Sequence, residues 1–226
     1  MGRYLIIDDI QIDVVRKKGK HSLSLKINRK TGRPEVSIPY LCPLFMAKSF
    51  VESHLIWLKK NMQMTPQKQT FCDQMHLSVL GKEVSVMHTQ TRVPSHIEGD
   101  LLIVSGAPEH LHRRIKDFIK SQLDDYINIK AREIAQKTGQ TIQKITIKDT
   151  ASRWGSCSSA HTLSFCWRLA LAPQFVLDYV IIHEVAHLSH MDHSPAFWAC
   201  VRQLGGQTVK AKKWLNENSA YLHSFL

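Results

Sequence analysis

The stretch LDYVIIHEVAHLSHMDHSPAFW, residues 177–198, places four of the chain's 13 histidines between His183 and His193. His183 and His187 are four residues apart, so on a helix they stand one turn apart on the same face. Two imidazoles so placed can share one Zn2+ at about 2.0–2.1 Å each. Glu184 completes an H-E-x-x-H pattern, in which the glutamate is the general base toward a metal-activated water. The segment reads as helical on separate grounds. Pro173 supplies a start, and Val176, Tyr179, Val180, Ile182 and Val185 supply apolar periodicity.

A catalytic zinc takes three protein ligands and keeps a fourth position open. His190 and His193 are the nearby candidates. On a continuing helix His190 would lie about two turns from His183, and the three nitrogens would form a column rather than converge. His193 precedes Ser194 and Pro195, and proline disfavours helical geometry in the residue before it. A turn there would carry His193 back under the helix. His193 is therefore the favoured third ligand, with His190 as its rival. Glu217, the one glutamate downstream, is the alternative for a His2Glu set.

Composition bounds the rest. The chain has 226 residues, 43% of them hydrophobic and 22% charged, as in a globular protein with material for one large domain or two small ones. No basic-then-apolar leader or membrane-length apolar run is present, which predicts a cytoplasmic protein. Five scattered cysteines without a CxxC pair read as reduced thiols. The net charge is +11, and eight basic residues (Arg16, Lys17, Lys18, Lys20, Lys26, Arg29, Lys30, Arg33) lie between positions 14 and 34 with no acid. Such a cluster suits phosphates, nucleic acid included, or is the solvated face of a β-hairpin.

The first 40 residues alternate in polarity and predict an antiparallel β-meander, followed by one helix opening at Pro43. QMTPQKQ (63–69) is a candidate boundary. Further strands are expected over residues 76–105, with turns at LGKE and HIEGD. A long helix is expected from Pro108 to about Lys137, ending at Gly139. TIQKITIKDT then reads as a strand, and no internal repeat is visible. These elements predict an α+β chain divided into a β-rich N-terminal region, 1–70, and a mixed body, 71–226.

Taken together, SRWGSCSS (152–159), SFCWRLALAP (164–173), residues 177–198 and KKWL (212–215) resemble, in order and spacing, the YgjP-like metal-dependent hydrolases. These are zincin-like proteins related to the SprT and WLM peptidases. The basic meander and the helix bearing WLKK (57–60) resemble that family's N-terminal region more loosely. The resemblance implies a zincin-like metallopeptidase core, His183, His187 and His193 as ligands, and Glu184 as catalytic base. It also implies that Phe197 and Trp198 pack the next helix against the metal helix, and that RWGSC precedes a strand lying beside it. Arg153 is then a candidate to bind a substrate carbonyl, carboxylate or phosphate, or else a structural partner of Asp149 or Asp178. One departure is Cys166, where family members usually carry asparagine. Cys157 reads as a turn residue, and Tyr179, one turn before His183, as a hydrogen-bonding or core residue.

Three functions are compatible with these features. The first is a zinc-dependent peptidase, with Mn2+, Co2+ or Ni2+ as alternative metals. The second is a metal-dependent hydrolase of nucleoside triphosphates, and the third a protease associated with nucleic acid through the basic region. The sequence does not specify an oligomeric state.

Overall fold

The computed structural model describes residues 3–28, 31–63 and 67–226, and the chain divides into two compact units, Met1–Gln67 and Lys68–Leu226. Arg29 and Lys30 of the basic cluster, and positions 64–66 of the candidate boundary loop, lie outside the described residues. The fold is α+β.

In the first unit, β1 (Arg3–Ile7) and β2 (Ile10–Lys17) form a hairpin through Asp8 and Asp9, both with positive φ. Two such residues make the type I′ turn whose twist matches that of the strands. β3 (Ser24–Ile27) and β4 (Pro34–Pro39) pair antiparallel, but β4 also lies parallel to β2, giving the order β1-β2-β4-β3. The expected meander is thus corrected. β4 is buried on both faces from Pro34 to Ile38, as suits a strand in a central place. Buried Glu35 on the same strand is satisfied by Lys26, Asn28 and Ser37. Among the basic cluster, Arg16 donates to the Tyr40 and Cys42 carbonyls and Lys20 to Ser24, so part of that cluster serves internal structure.

The single helix expected after Pro43 is two, α1 (Leu44–Ser53) and α2 (Leu55–Gln63), broken at His54. The Ser53 hydroxyl and the His54 ring both bond the Phe50 carbonyl, at 2.8 Å each. Side chains competing for a helix carbonyl in this way weaken the helical ladder.

The second unit opens with the same arrangement. β5 (His76–Val79), β6 (Lys82–Thr89), β7 (His96–Glu98) and β8 (Leu101–Ser105) take the order β5-β6-β8-β7, with β6 parallel to β8 and a helix following. Leu80 and Gly81 supply its two positive-φ hairpin residues. The two sheets repeat one topology although the sequence shows no repeat. Backbone pairing demands only alternation and turns, which different side chains can provide.

The long helix α3 (Leu111–Lys137) follows a 3-10 turn, Pro108–His110, and Gly139 with φ +67° ends it, as expected. Its buried face runs Leu111, Ile115, Ile119, Leu123, Ile127, Ala131 and Ile134. Against this face pack β9 (Lys144–Lys148) and α4 (Gln174–Ala186), the histidine-bearing helix. Tyr126 of α3 donates to Asp178 of α4 at 2.6 Å. β10 (Gly155–Cys157) and β11 (Thr162–Cys166) complete a three-stranded sheet of order β10-β11-β9, with β10 on the edge. α5 (Pro195–Gln203) and α6 (Thr208–Leu222) close the other side of α4. Arg168 is buried and fastens the C-terminal segment, with Nε and Nη2 donating to the Phe225 carbonyl and Nη1 to Asp149. Among the described residues no helix is long and apolar enough to cross a membrane.

Candidate metal centre

α4 is buried on nearly every side, and its apolar residues Val176, Tyr179, Val180, Ile182 and Val185 fix its rotation in the core. That rotation sets His183 and His187 on one face. The helix stops at Ala186, with His187 as its cap, and the amides of Leu188, Ser189 and His190 fold back onto the Val185 and Ala186 carbonyls. The column of histidines a continuing helix would give therefore does not form. The chain reverses through Asp192, whose carboxylate accepts from the Ser194 amide at 3.3 Å. Ser194 then caps α5, with its hydroxyl accepting from Phe197 N.

This reversal returns His193 to the side of α4 that carries His183 and His187. The ligating atoms of His183, His187 and His193 all lie within 4.8 Å of one another, and the Nε2 atoms of His183 and His193 are 3.2 Å apart. Two nitrogens bound to one tetrahedral zinc lie about 3.3 Å apart, given zinc–nitrogen bonds of about 2.0–2.1 Å. The His183–His193 pair thus stands at the spacing of two metal ligands, with His187 close by. His190 is not in the triad, but its carbonyl accepts from His187 Nδ1 at 2.9 Å. That bond puts the proton of His187 on Nδ1 and leaves Nε2 as the ligating atom. His183 Nδ1 is buried and has no hydrogen-bond partner among the described residues. Glu217, on α6, is exposed and outside the triad.

Burial, followed by the nearby His187, His193 and Lys212, lowers the His183 pKa to about 4, and burial also lowers that of His187. Both rings are neutral at neutral pH, the state a metal requires of its imidazole ligands. Phe197 of α5 is fully buried with its ring 4.9, 4.5 and 4.9 Å from the rings of His183, His187 and His193. Trp198 stacks on His193 at 5.6 Å. Both residues pack α5 against the histidines as the family resemblance implies, and Phe197 wedges all three rings at once.

Glu184 points to the opposite wall, against β10. At Gly155 of that strand, a Cβ would stand 2.5 Å from Glu184 Oε1 and 2.6 Å from its Cγ. The glycine is needed for close approach, since its own φ is unexceptional. The sequence signal was present, a glycine inside a strand-like stretch, but it does not identify the partner. Burial raises the Glu184 carboxyl to about 8, against the charge of Arg153, which lowers it. A buried carboxyl in this state favours a neighbouring cation, which would stabilise its ionised form.

Arg153 is exposed beside this wall, and its loop is fixed by Thr150 donating to the Arg153 carbonyl at 2.8 Å. The structural partners considered for it are engaged elsewhere. Asp149 pairs with Arg168 and Lys116, and Asp178 accepts from Tyr126. Cys157 corrects an expectation, since it closes edge strand β10 instead of occupying a turn. RWGSC likewise contributes the strand beside α4 rather than preceding it. Burial and the charge of Glu184 push the Cys157 thiol up to about 11, which keeps it protonated and a poor ligand. Cys166 is buried and donates weakly to the Thr150 carbonyl at 3.5 Å, so a thiol supplies the loop contact here. Tyr179 is buried in the core with its ring 5.8 Å from that of His183.

The family model described as YgjP-like, metallopeptidase domain matches residues 21–218. The chain belongs to the YgjP-like metallopeptidase family. The match runs through both compact units and takes in all three histidines, Glu184 and β10. YgjP-like membership supports a metal-dependent hydrolase with a polypeptide substrate and implies a resident metal, and the histidine triad is a group that could hold one. No curated protein matches the chain. No solved structure matches it either.

Proposed function

We propose that this protein is a zinc-dependent peptidase in which His183, His187 and His193 hold the metal and Glu184 is the general base. The observation that carries this reading is the convergence of three imidazoles beside a buried carboxyl packed on an edge strand. A zinc ion held there would supply Lewis acidity, lowering the pKa of a water and polarising a carbonyl. Glu184 accepts the water's proton and returns it to the leaving nitrogen as the peptide bond breaks. Burial suits it to both tasks by bringing its affinity for a proton near neutral pH. The open edge of β10 offers backbone N–H and C=O groups along which an extended polypeptide can pair. Arg153, exposed beside that edge, would supply a positive charge to the developing oxyanion or to a substrate carboxylate. The family match gives no support to the nucleotide and nucleic-acid readings.

The test is a substrate panel. Metal-depleted protein is restored separately with Zn2+, Mn2+, Co2+ or Ni2+ and assayed on an unstructured polypeptide and on nucleoside triphosphates. Polypeptide cleavage restored by zinc is the expected outcome. Nucleotide turnover with the polypeptide left intact would overturn the proposal.

A second outcome tests the edge-strand wall. In Gly155→Ala the new methyl displaces Glu184 from β10, and misplacement of a catalytic group by about 1 Å costs on the order of 100-fold. Polypeptide turnover is expected to fall by that order while zinc content is unchanged. Unchanged turnover would place the working position of Glu184 elsewhere.

A further inference from the structure

Next to the histidines, α5 and α6 flank an open groove of about 590 Å³, within the range of ligand-binding sites. Trp198, Arg202, Gly206, Thr208, Lys210 and Lys212 are among its lining residues. Trp198 belongs to both places, since it forms a groove wall and also stacks on His193. Lys212 Nζ lies 4.3 Å over the Trp198 ring, and its charge reaches His183. The groove therefore begins one ring away from the metal ligands.

Its charge is one-sided. Residues 193–216 contain Arg202, Lys210, Lys212 and Lys213 and no acid. None of the three groove cations has a carboxylate within 4.0 Å among the described residues. Aromatic rings position the two lysines instead, with Lys210 Nζ 4.2 Å over Phe175 and Lys212 over Trp198. α6 starts at this groove with no side-chain cap and no acid in its first turn, so its amide groups add to the positive field. Three uncompensated cations on two helices, beside an aromatic wall, form a subsite for anions.

We infer that this groove is a specificity subsite for the acidic side chains of the polypeptide substrate, so that the enzyme selects chains carrying aspartate or glutamate beside the cleaved bond. The inference rests on the peptidase reading. An open groove with its cations distributed along it suits successive carboxylates of an extended chain better than one compact phosphate group. Attraction of this exposed kind depends on salt.

The test separates binding from cleavage. Zinc-loaded Glu184→Gln protein is titrated with a fluorescent acidic peptide and with its neutral counterpart, each Asp and Glu replaced by Asn and Gln. The acidic peptide is expected to bind about tenfold tighter at low salt, with the preference shrinking as salt rises. In the background of Arg202→Gln with Lys210→Gln, the ratio of the two affinities is expected to approach one. Equal binding of both peptides, or a ratio the double substitution leaves unchanged, would overturn the subsite. So would a nucleoside triphosphate that displaces the acidic peptide and binds more tightly than it. Selective binding of the acidic peptide, with neither peptide cleaved by the zinc-loaded wild type, would uphold the groove and count against the peptidase reading alone.

Discussion

Zinc bound to the purified protein is expected to fall from about one ion per chain to a small fraction in His193→Ala, and to stay near one in His190→Ala. The asymmetry follows from the local geometry. His193 is the third donor of a converging triad, 3.2 Å from His183 through their Nε2 atoms. Its removal leaves two imidazoles from one helix, which hold zinc far more weakly than three converging ligands. His190 contributes through its main chain, because its carbonyl accepts the His187 Nδ1 proton. Alanine keeps that carbonyl, so His187 keeps its orientation. His193 is exposed, and the loss of its side chain should leave the fold intact, which denaturation of the metal-free proteins checks. Retention of full zinc by His193→Ala would remove that residue from the ligand set.

The parts of the molecule legible in the sequence are those set by local rules. α4 could be read from Pro173 and its apolar positions, and α3 from its start at Pro108 and its stop at Gly139. The reversal after His190 could be read from Pro195, since a proline there constrains the residue before it. What escaped depends on particular contacts that a polarity pattern does not carry. Alternation shows that β4 has a buried face but not that it lies between β2 and β3. The break at His54 depends on two side chains reaching one carbonyl, which periodicity does not register. At the candidate centre the convergence of the three histidines was legible because the four-residue spacing and the turn before Pro195 are both local features. Phe197 and Gly155 carry no such signature. Phe197 was read only through the family resemblance, and its contact with all three rings, like the carboxyl against Gly155, shows only in the fold.

The second large effect concerns Glu184. Glutamine matches it in size and can occupy the same buried site against Gly155, but its amide cannot carry the proton between water and leaving group. General acid–base catalysis by a positioned side chain is worth about 10²–10⁴-fold, and a loss of that size is expected in Glu184→Gln. The substitution leaves the three histidines untouched, so the metal should remain. The most direct measurement is therefore polypeptide hydrolysis and zinc content determined together on wild-type and Glu184→Gln protein. About one zinc per chain in both, with turnover lower by about 10²–10⁴-fold in the variant, is the result expected of a histidine-held metal working with a glutamate base. Full turnover in the zinc-loaded variant would contradict it.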